Sequence, residues 1–124
     1  MAMAKEIMGG GFSAGQAQAL GGQSQTLAAL GTTNLTAAPV TSSNTIVSGA
    51  DGTVGVILPA GQVGDEIWLY NNAASTLKVY PNVGGKIVIT GTGLGTTDAA
   101  VSLLTFKAGI FKMQASLQWF NVMV

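Results

Sequence analysis

Apolar and polar residues alternate from about residue 44 onward, in runs of four to eight residues that are separated by turn residues. Consecutive side chains of a strand point to opposite faces, so this alternation predicts β-strands. We predict eight strands, at residues 44–48, 53–58, 66–70, 76–80, 86–90, 100–105, 109–115 and 117–122. Parallel connections need a dozen or more residues, usually a helix, and the segments between these runs are too short and glycine-rich for one. We therefore expect an all-β fold, an antiparallel β-sandwich or small barrel of the jelly-roll kind.

The predicted strand at residues 66–70 is apolar on both of its faces. Period two places Ile67 and Leu69 on one side and Trp68 and Tyr70 on the other. A strand of this kind lies in the centre of a sheet or is covered by a partner chain. Trp68 and Tyr70 are accordingly predicted to lie in an interface between copies of the chain.

Residues 1–43 differ in composition from the rest, because glycine, alanine, glutamine, serine and threonine dominate them. We predict an extended, low-complexity N-terminal arm at 1–43, with one or two short helical turns, and a β domain at 44–124. A disordered tail is the alternative. Four apolar side chains of the arm are predicted to act as anchors: Phe12, Leu20, Leu27 and Leu30.

The chain has few side chains for catalysis. It contains no histidine, cysteine or arginine, and only 8% of its residues are charged. General acid–base work, activated nucleophiles and metal cages draw on those residue types, so we expect no enzyme, no cofactor and no metal site. Five scattered lysines do not predict nucleic-acid binding. The sequence contains no run of ~18 apolar residues, so a membrane span is not predicted. A secretory signal peptide is not expected either.

Two short motifs carry little chemistry. Gly91-Thr92-Gly93-Leu94-Gly95 follows a strand but opens no helix, so it is interpreted as a hairpin loop rather than a dinucleotide site. Asp65-Glu66 is the only carboxylate pair, and neighbours on a strand face opposite sides.

Both tryptophans and both tyrosines fall in the predicted β domain: Trp68, Tyr70, Tyr80 and Trp119. We expect them to fill the core or a subunit interface, with Trp119 beside Trp68 and Tyr70 at the interface. The alternative is a sugar-binding face of aromatic platforms. A β domain of ~80 residues without disulfide or metal buries too little surface to be more than marginal alone, which favours an oligomer.

Several segments give the chain a resemblance to a known group of proteins. They are Gly64-Asp65-Glu66-Ile67, Tyr70-Asn71-Asn72, Leu77-Lys78-Val79-Tyr80-Pro81, Gly84-Gly85, Ala108-Gly109 and Gln118-Trp119-Phe120. With these, residues 64–121 resemble small structural proteins of tailed-bacteriophage virions, among them capsid decoration (cement) and head-fibre proteins.

The resemblance implies a homo-oligomer, often a homotrimer, made in the host cytoplasm and sitting on the capsid exterior. It would bind the major capsid protein and stabilise the shell, with Phe12, Leu20, Leu27 and Leu30 of the arm as attachment points. The alternative is a head-fibre, tail-fibre or spike module that binds a host receptor or glycan. The resemblance carries over no catalytic residues.

Overall fold

The computed structural model describes residues 24–89 and 95–123, and every regular element in that part is a β-strand. The ten strands are β1 (Ser24–Ala28), β2 (Ala38–Pro39), β3 (Asn44–Ser48), β4 (Gly55–Ile57), β5 (Glu66–Asn71), β6 (Leu77–Tyr80), β7 (Lys86–Ile89), β8 (Val101–Leu103), β9 (Ala108–Ala115) and β10 (Gln118–Met123). The all-β prediction is confirmed, and the eight predicted strands are β3 to β10, with ends that agree to within two residues.

The strands form two sheets. One has six strands in the order β1-β3-β5-β9-β10-β7, and the other has four in the order β2-β4-β6-β8. Each order is open at both ends, so neither sheet closes into a barrel within the described residues. β5 lies inside the six-stranded sheet, between β3 and β9, which is one of the two positions that its two apolar faces predicted.

The expectation of antiparallel sheets is wrong, because both sheets are mixed. Parallel pairing joins β1 to β3, β3 to β5, β2 to β4, β4 to β6 and β7 to β10. The antiparallel pairs are β5 with β9, β9 with β10, and β6 with β8.

The chain makes its parallel connections without helices by alternating between the sheets. From β1 to β8, each strand of the six-stranded sheet is followed by one of the four-stranded sheet. The return run that a helix supplies in other parallel folds is therefore a strand of the opposite sheet. A strand in the opposite sheet thus replaces the helix-length connection on which the antiparallel prediction depended.

One hydrophobic core joins the two sheets. Its fully buried members from the six-stranded sheet include Val47, Leu69, Phe111, Met113 and Trp119. Those from the four-stranded sheet include Val56, Leu77, Val79 and Leu103. Alternate residues of each strand thus meet in the same interior, as period two requires.

Residues 24–43, predicted as arm, are part of the folded domain. β1 pairs with β3, β2 pairs with β4, and Leu30 exchanges backbone hydrogen bonds with Gly55. Ala38 and Val40 are almost fully buried in the core. The sheets therefore begin by Ser24 rather than at residue 44, and β1 is a strand within the segment that was predicted to be an extended arm with short helical turns. The small residues of this segment gave it a low-complexity composition. In the structure, small residues such as Ala29 and Ala38 are buried where strands pack closely.

Candidate interaction surface

The outer side of the six-stranded sheet carries a group of apolar side chains. Six residues form this outer apolar face: Ile46, Trp68, Tyr70, Ile110, Phe120 and Val122. Each alternates along its strand with a buried residue and therefore points away from the core. Strand register places Ile46 opposite Tyr70, and it places Ile110 opposite both Trp68 and Val122.

Four of these six side chains are exposed, and Ile110 and Phe120 are half-buried. Ile46 is 45% exposed, Trp68 38%, Tyr70 37% and Val122 52%. A row of large apolar side chains across four neighbouring strands exceeds the scattered exposure that is normal on a protein surface. The geometry is that of a surface for association with another apolar surface.

A shallow groove of about 290 Å³ lies within the outer apolar face. Its lining consists of Ser24, Asn44, Thr45, Ile46, Trp68, Leu69, Tyr70 and Ala108. Glu66 fixes one wall, because its Oε1 accepts a hydrogen bond from Trp68 Nε1 at 2.7 Å. This exposed bond restrains the indole, and a restrained side chain loses less entropy when the groove binds something.

Charge is confined to one end of this face. Glu66 lies directly opposite Lys112 in the register of β5 and β9. Opposite charges at such cross-strand positions attract each other. Lys112 also lies opposite Phe120 in the register of β9 and β10, so the charged pair adjoins one member of the outer apolar face. The six members themselves are all uncharged.

Trp119 does not belong to this surface, which corrects the prediction that placed it in the interface. It is fully buried, and its Nε1 donates to Asn82 Oδ1 at 2.8 Å. The outward apolar positions of β10 belong instead to Phe120 and Val122. Trp119 therefore fills the core, which was the other reading of the aromatic residues.

Tyr80 also serves the fold of the domain. Its side chain is half-buried, and its hydroxyl donates to the Thr32 carbonyl at 2.9 Å. That bond fastens the segment between β1 and β2 to the end of β6. Of the four aromatic candidates for a sugar platform, Trp68 and Tyr70 are the two on the outer apolar face.

The four predicted arm anchors fall into three groups. Phe12 and Leu20 lie outside the described residues. Leu27 is half-buried and packs against the core, so it anchors β1 to its own domain. Leu30 is 58% exposed and is available to a partner.

The described carboxylates organise their own loops. Asp51 Oδ1 accepts from the Thr53 hydroxyl at 2.7 Å and from the Thr53 amide at 2.8 Å. The hydroxyl bond is the main reason that the pKa of Asp51 lies below its ordinary value, with backbone bonds adding to it. Asp65 Oδ2 accepts from the Gln62 amide at 2.8 Å, and Asp98 Oδ1 accepts from the Gly84 amide at 2.7 Å.

Within residues 24–89 and 95–123, no group of three or more acidic, histidine or cysteine side chains is placed to hold a metal ion. The same part of the chain contains no helix long and apolar enough to cross a membrane. The loop at 91–95 lies outside the described residues except for Gly95, which packs against the backbone of Ile87.

Of the six members of the outer apolar face, only Trp68 and Tyr70 were predicted from the sequence to lie on an interaction surface. The available signal was the two-sided apolar character of the strands at 44–48, 109–115 and 117–122. That pattern does not predict which strands lie next to β5. In comparisons with known proteins, the chain matches no protein-family model and no curated protein.

Proposed function

We propose that the chain is a virion structural protein that decorates a phage capsid as a homo-oligomer. The observation that carries the association is the outer apolar face of the six-stranded sheet, a large apolar surface on a chain with net charge zero. Such a chain has little charge repulsion to keep its copies apart. The two sheets, which share one core, pack in this proposal as a β-sandwich, and the expected copy number is three.

The outer apolar face supplies the contact between copies. Burial of apolar area yields roughly 25 cal/mol per Å², so the face contributes several kcal/mol when a second surface covers it. The carboxylate and ammonium at its end, Glu66 and Lys112, stay at the rim, where water still reaches them.

In this proposal two parts of the chain attach to the major capsid protein. One is the N-terminal segment, residues 1–23, with Phe12 and Leu20 as anchors, and the other is the exposed Leu30. Several weak contacts per oligomer add up to tight attachment, because the second and third bind at high effective concentration. This places the protein on the capsid exterior, where it stabilises the shell.

The oligomer is tested by the solution mass of the full chain from light scattering. Tyr70→Lys places a charge in the outer apolar face and is expected to reduce the mass well below that of the natural chain. Leu35→Lys is the matched control, because Leu35 is 79% exposed and is not a member of that face. A monomeric natural chain, or equal masses for the two variants, would remove the association from this face.

Attachment is tested by sedimentation with emptied capsids of the phage that encodes the chain. Deleting residues 1–23 leaves every described strand in place and is expected to abolish co-sedimentation. Deletion to residue 30 is unsuitable, because it removes β1 (Ser24–Ala28). Undiminished co-sedimentation of the shortened chain would refute the attachment role of the segment.

A second candidate function is a fibre or spike module that binds a host glycan in the groove. The observation in its favour is the pair of aromatic rings there, Trp68 and Tyr70. Titration with host polysaccharide should then shift the fluorescence of Trp68, whereas the buried Trp119 provides a constant background. A Trp68→Phe chain that still shows the shift would exclude the groove as the binding site.

A further inference from the structure

β1 forms one edge of the six-stranded sheet and has unpaired backbone groups on its outer side. The Ala29 amide donates to the Ser48 carbonyl at 2.9 Å, so alternate residues before it, Leu27 and Gln25, also turn their backbone groups toward β3. The N–H and C=O groups of Ser24, Thr26 and Ala28 therefore point away from the sheet. Within residues 24–89 and 95–123, no strand pairs with that side.

The other described edges are protected. At β7, Gly95 lies against the Ile87 backbone, and the Asp98 amide donates to the Gly85 carbonyl at 2.8 Å. The edges of the four-stranded sheet, β2 and β8, are two and three residues long, and β2 contains Pro39. Short strands, proline and covering loops are the devices that keep edges from pairing with other chains.

β1 has none of these devices. Its five residues, Ser-Gln-Thr-Leu-Ala, include no charge and no proline, and its pairing with β3 is in continuous register without a bulge. An edge of this length and composition is a template for another strand. The strand that fits it is the same edge of a second copy.

We propose that two copies of the chain pair through their β1 strands in antiparallel orientation, about a two-fold axis at Thr26. Each Thr26 then exchanges N–H···O bonds with its counterpart, and Ser24 lies opposite the partner's Ala28. All residues with outward-pointing backbone groups form hydrogen-bonded pairs in this register, and no other register centred on β1 matches all three. Threonine opposite threonine is a favourable cross-strand pair, and no like charges meet.

The side chains on both faces of β1 allow this contact. On the outer face the row Ser24, Thr26 and Ala28 is small and exposed. On the inner face Gln25 stays with its own chain, because its Nε2 donates to Thr41 Oγ1 at 3.0 Å and its Oε1 accepts from the Thr41 amide at 3.1 Å. The pairing therefore needs no rearrangement of the domain.

This pairing deepens the proposed function and rests on it. Two six-stranded sheets become one continuous sheet, and Ser24, which lines the groove, brings the two grooves side by side. The outer apolar face holds one oligomer together, whereas the β1 edge ties neighbouring oligomers to each other. A shell-covering protein gains strength from such links, because force on one oligomer is shared with the next.

The absence of cysteine from the chain makes the geometry directly measurable. Opposed residues of a hydrogen-bonded antiparallel pair have Cα atoms about 5.5 Å apart, within the range of ~4.4–6.8 Å that a disulfide accepts. Full-length Thr26→Cys should therefore form a disulfide-linked dimer with oxidised glutathione, seen by non-reducing electrophoresis. Ser24→Cys and Ala28→Cys should each form no disulfide-linked dimer when tested alone. A mixture of the two variants should form one.

The outcomes separate this proposal from the proposed function. Failure of Thr26→Cys to cross-link, or equal cross-linking of all three variants alone, overturns the two-fold pairing, including the case in which residues 1–23 cover the edge instead. Thr26→Lys should lower the mass seen by light scattering to that of a single oligomer, and an unchanged mass also overturns it. Cross-linking with no binding to capsids would overturn the decoration role and leave the edge pairing standing.

Discussion

Replacement of Trp119 by phenylalanine should destabilise the fold by about 2–4 kcal/mol. The indole is fully buried, and its Nε1 donates to Asn82 Oδ1 at 2.8 Å. Phenylalanine has no donor, so the buried oxygen of Asn82 loses its indole partner. Orphaning a buried acceptor costs about 1–3 kcal/mol, and the cavity left by the smaller ring adds about 1 kcal/mol.

Trp68→Phe is the matched control, because it makes the same substitution on the surface. The Nε1 of Trp68 also donates, to Glu66 Oε1 at 2.7 Å, but both side chains are exposed. Water replaces the lost donor there, so the free energy of unfolding should fall by less than about 1 kcal/mol. The two variants thus differ in burial and not in the kind of group removed.

Urea unfolding followed by circular dichroism gives the free energy of unfolding of each variant. All chains are compared in the Tyr70→Lys background, in which contact through the outer apolar face is expected to be lost, because association shifts apparent stability. The double variant Trp119→Phe with Asn82→Ala should lose less than the sum of the single losses, because no orphaned oxygen remains. Equal losses for Trp119→Phe and Trp68→Phe would refute the assignment of Trp119 to the core.

Three further predictions concern single sites. Gly55→Ala should lower the free energy of unfolding in urea by about 2–3 kcal/mol. The added Cβ would collide with the Lys78 carbonyl oxygen and lie 2.9 Å from Lys78 Cβ. Unchanged stability of this variant would contradict the close approach of β4 and β6. Asn71→Ala should cost about 2–4 kcal/mol, because the two hydrogens of its buried Nδ2 are shared among three backbone carbonyl oxygens, at 2.8, 3.1 and 3.1 Å. A loss within about 0.5 kcal/mol would show that these bonds do not hold the loops. Because the pKa of Asp51 is lowered in the folded chain, its stabilising effect is present above the ordinary carboxyl pKa and is lost as the pH falls through the lowered value. The difference in thermal midpoint between Asp51→Ala and the natural chain should therefore shrink with acid, and a difference that grows would reverse the sign.

Some residues of the outer apolar face could be predicted from the sequence, and others could not. Period two was sufficient to put Trp68 and Tyr70 opposite the buried Ile67 and Leu69, because the side-chain direction along a strand is a local property. It was insufficient for Ile46 and Val122, whose place beside these aromatic residues depends on strand pairing. The assignment of Trp119 failed for a related reason, since Phe120 and Val122 make the other face of β10 apolar as well.

By itself the sequence determined that the protein is all-β, where eight strands run, and which residues of β5 share a face. These properties follow from side-chain alternation and turn residues, which act over a few positions. Only the tertiary structure decided that the strands pair largely in parallel, that residues 24–43 belong to the sheets, and which tryptophan is buried. Ser24 pairs with Asn44 and Asn44 with Trp68, at separations of 20 and 24 residues. Pairing over such distances is set by the burial of both sheets in one core, and no local pattern encodes it.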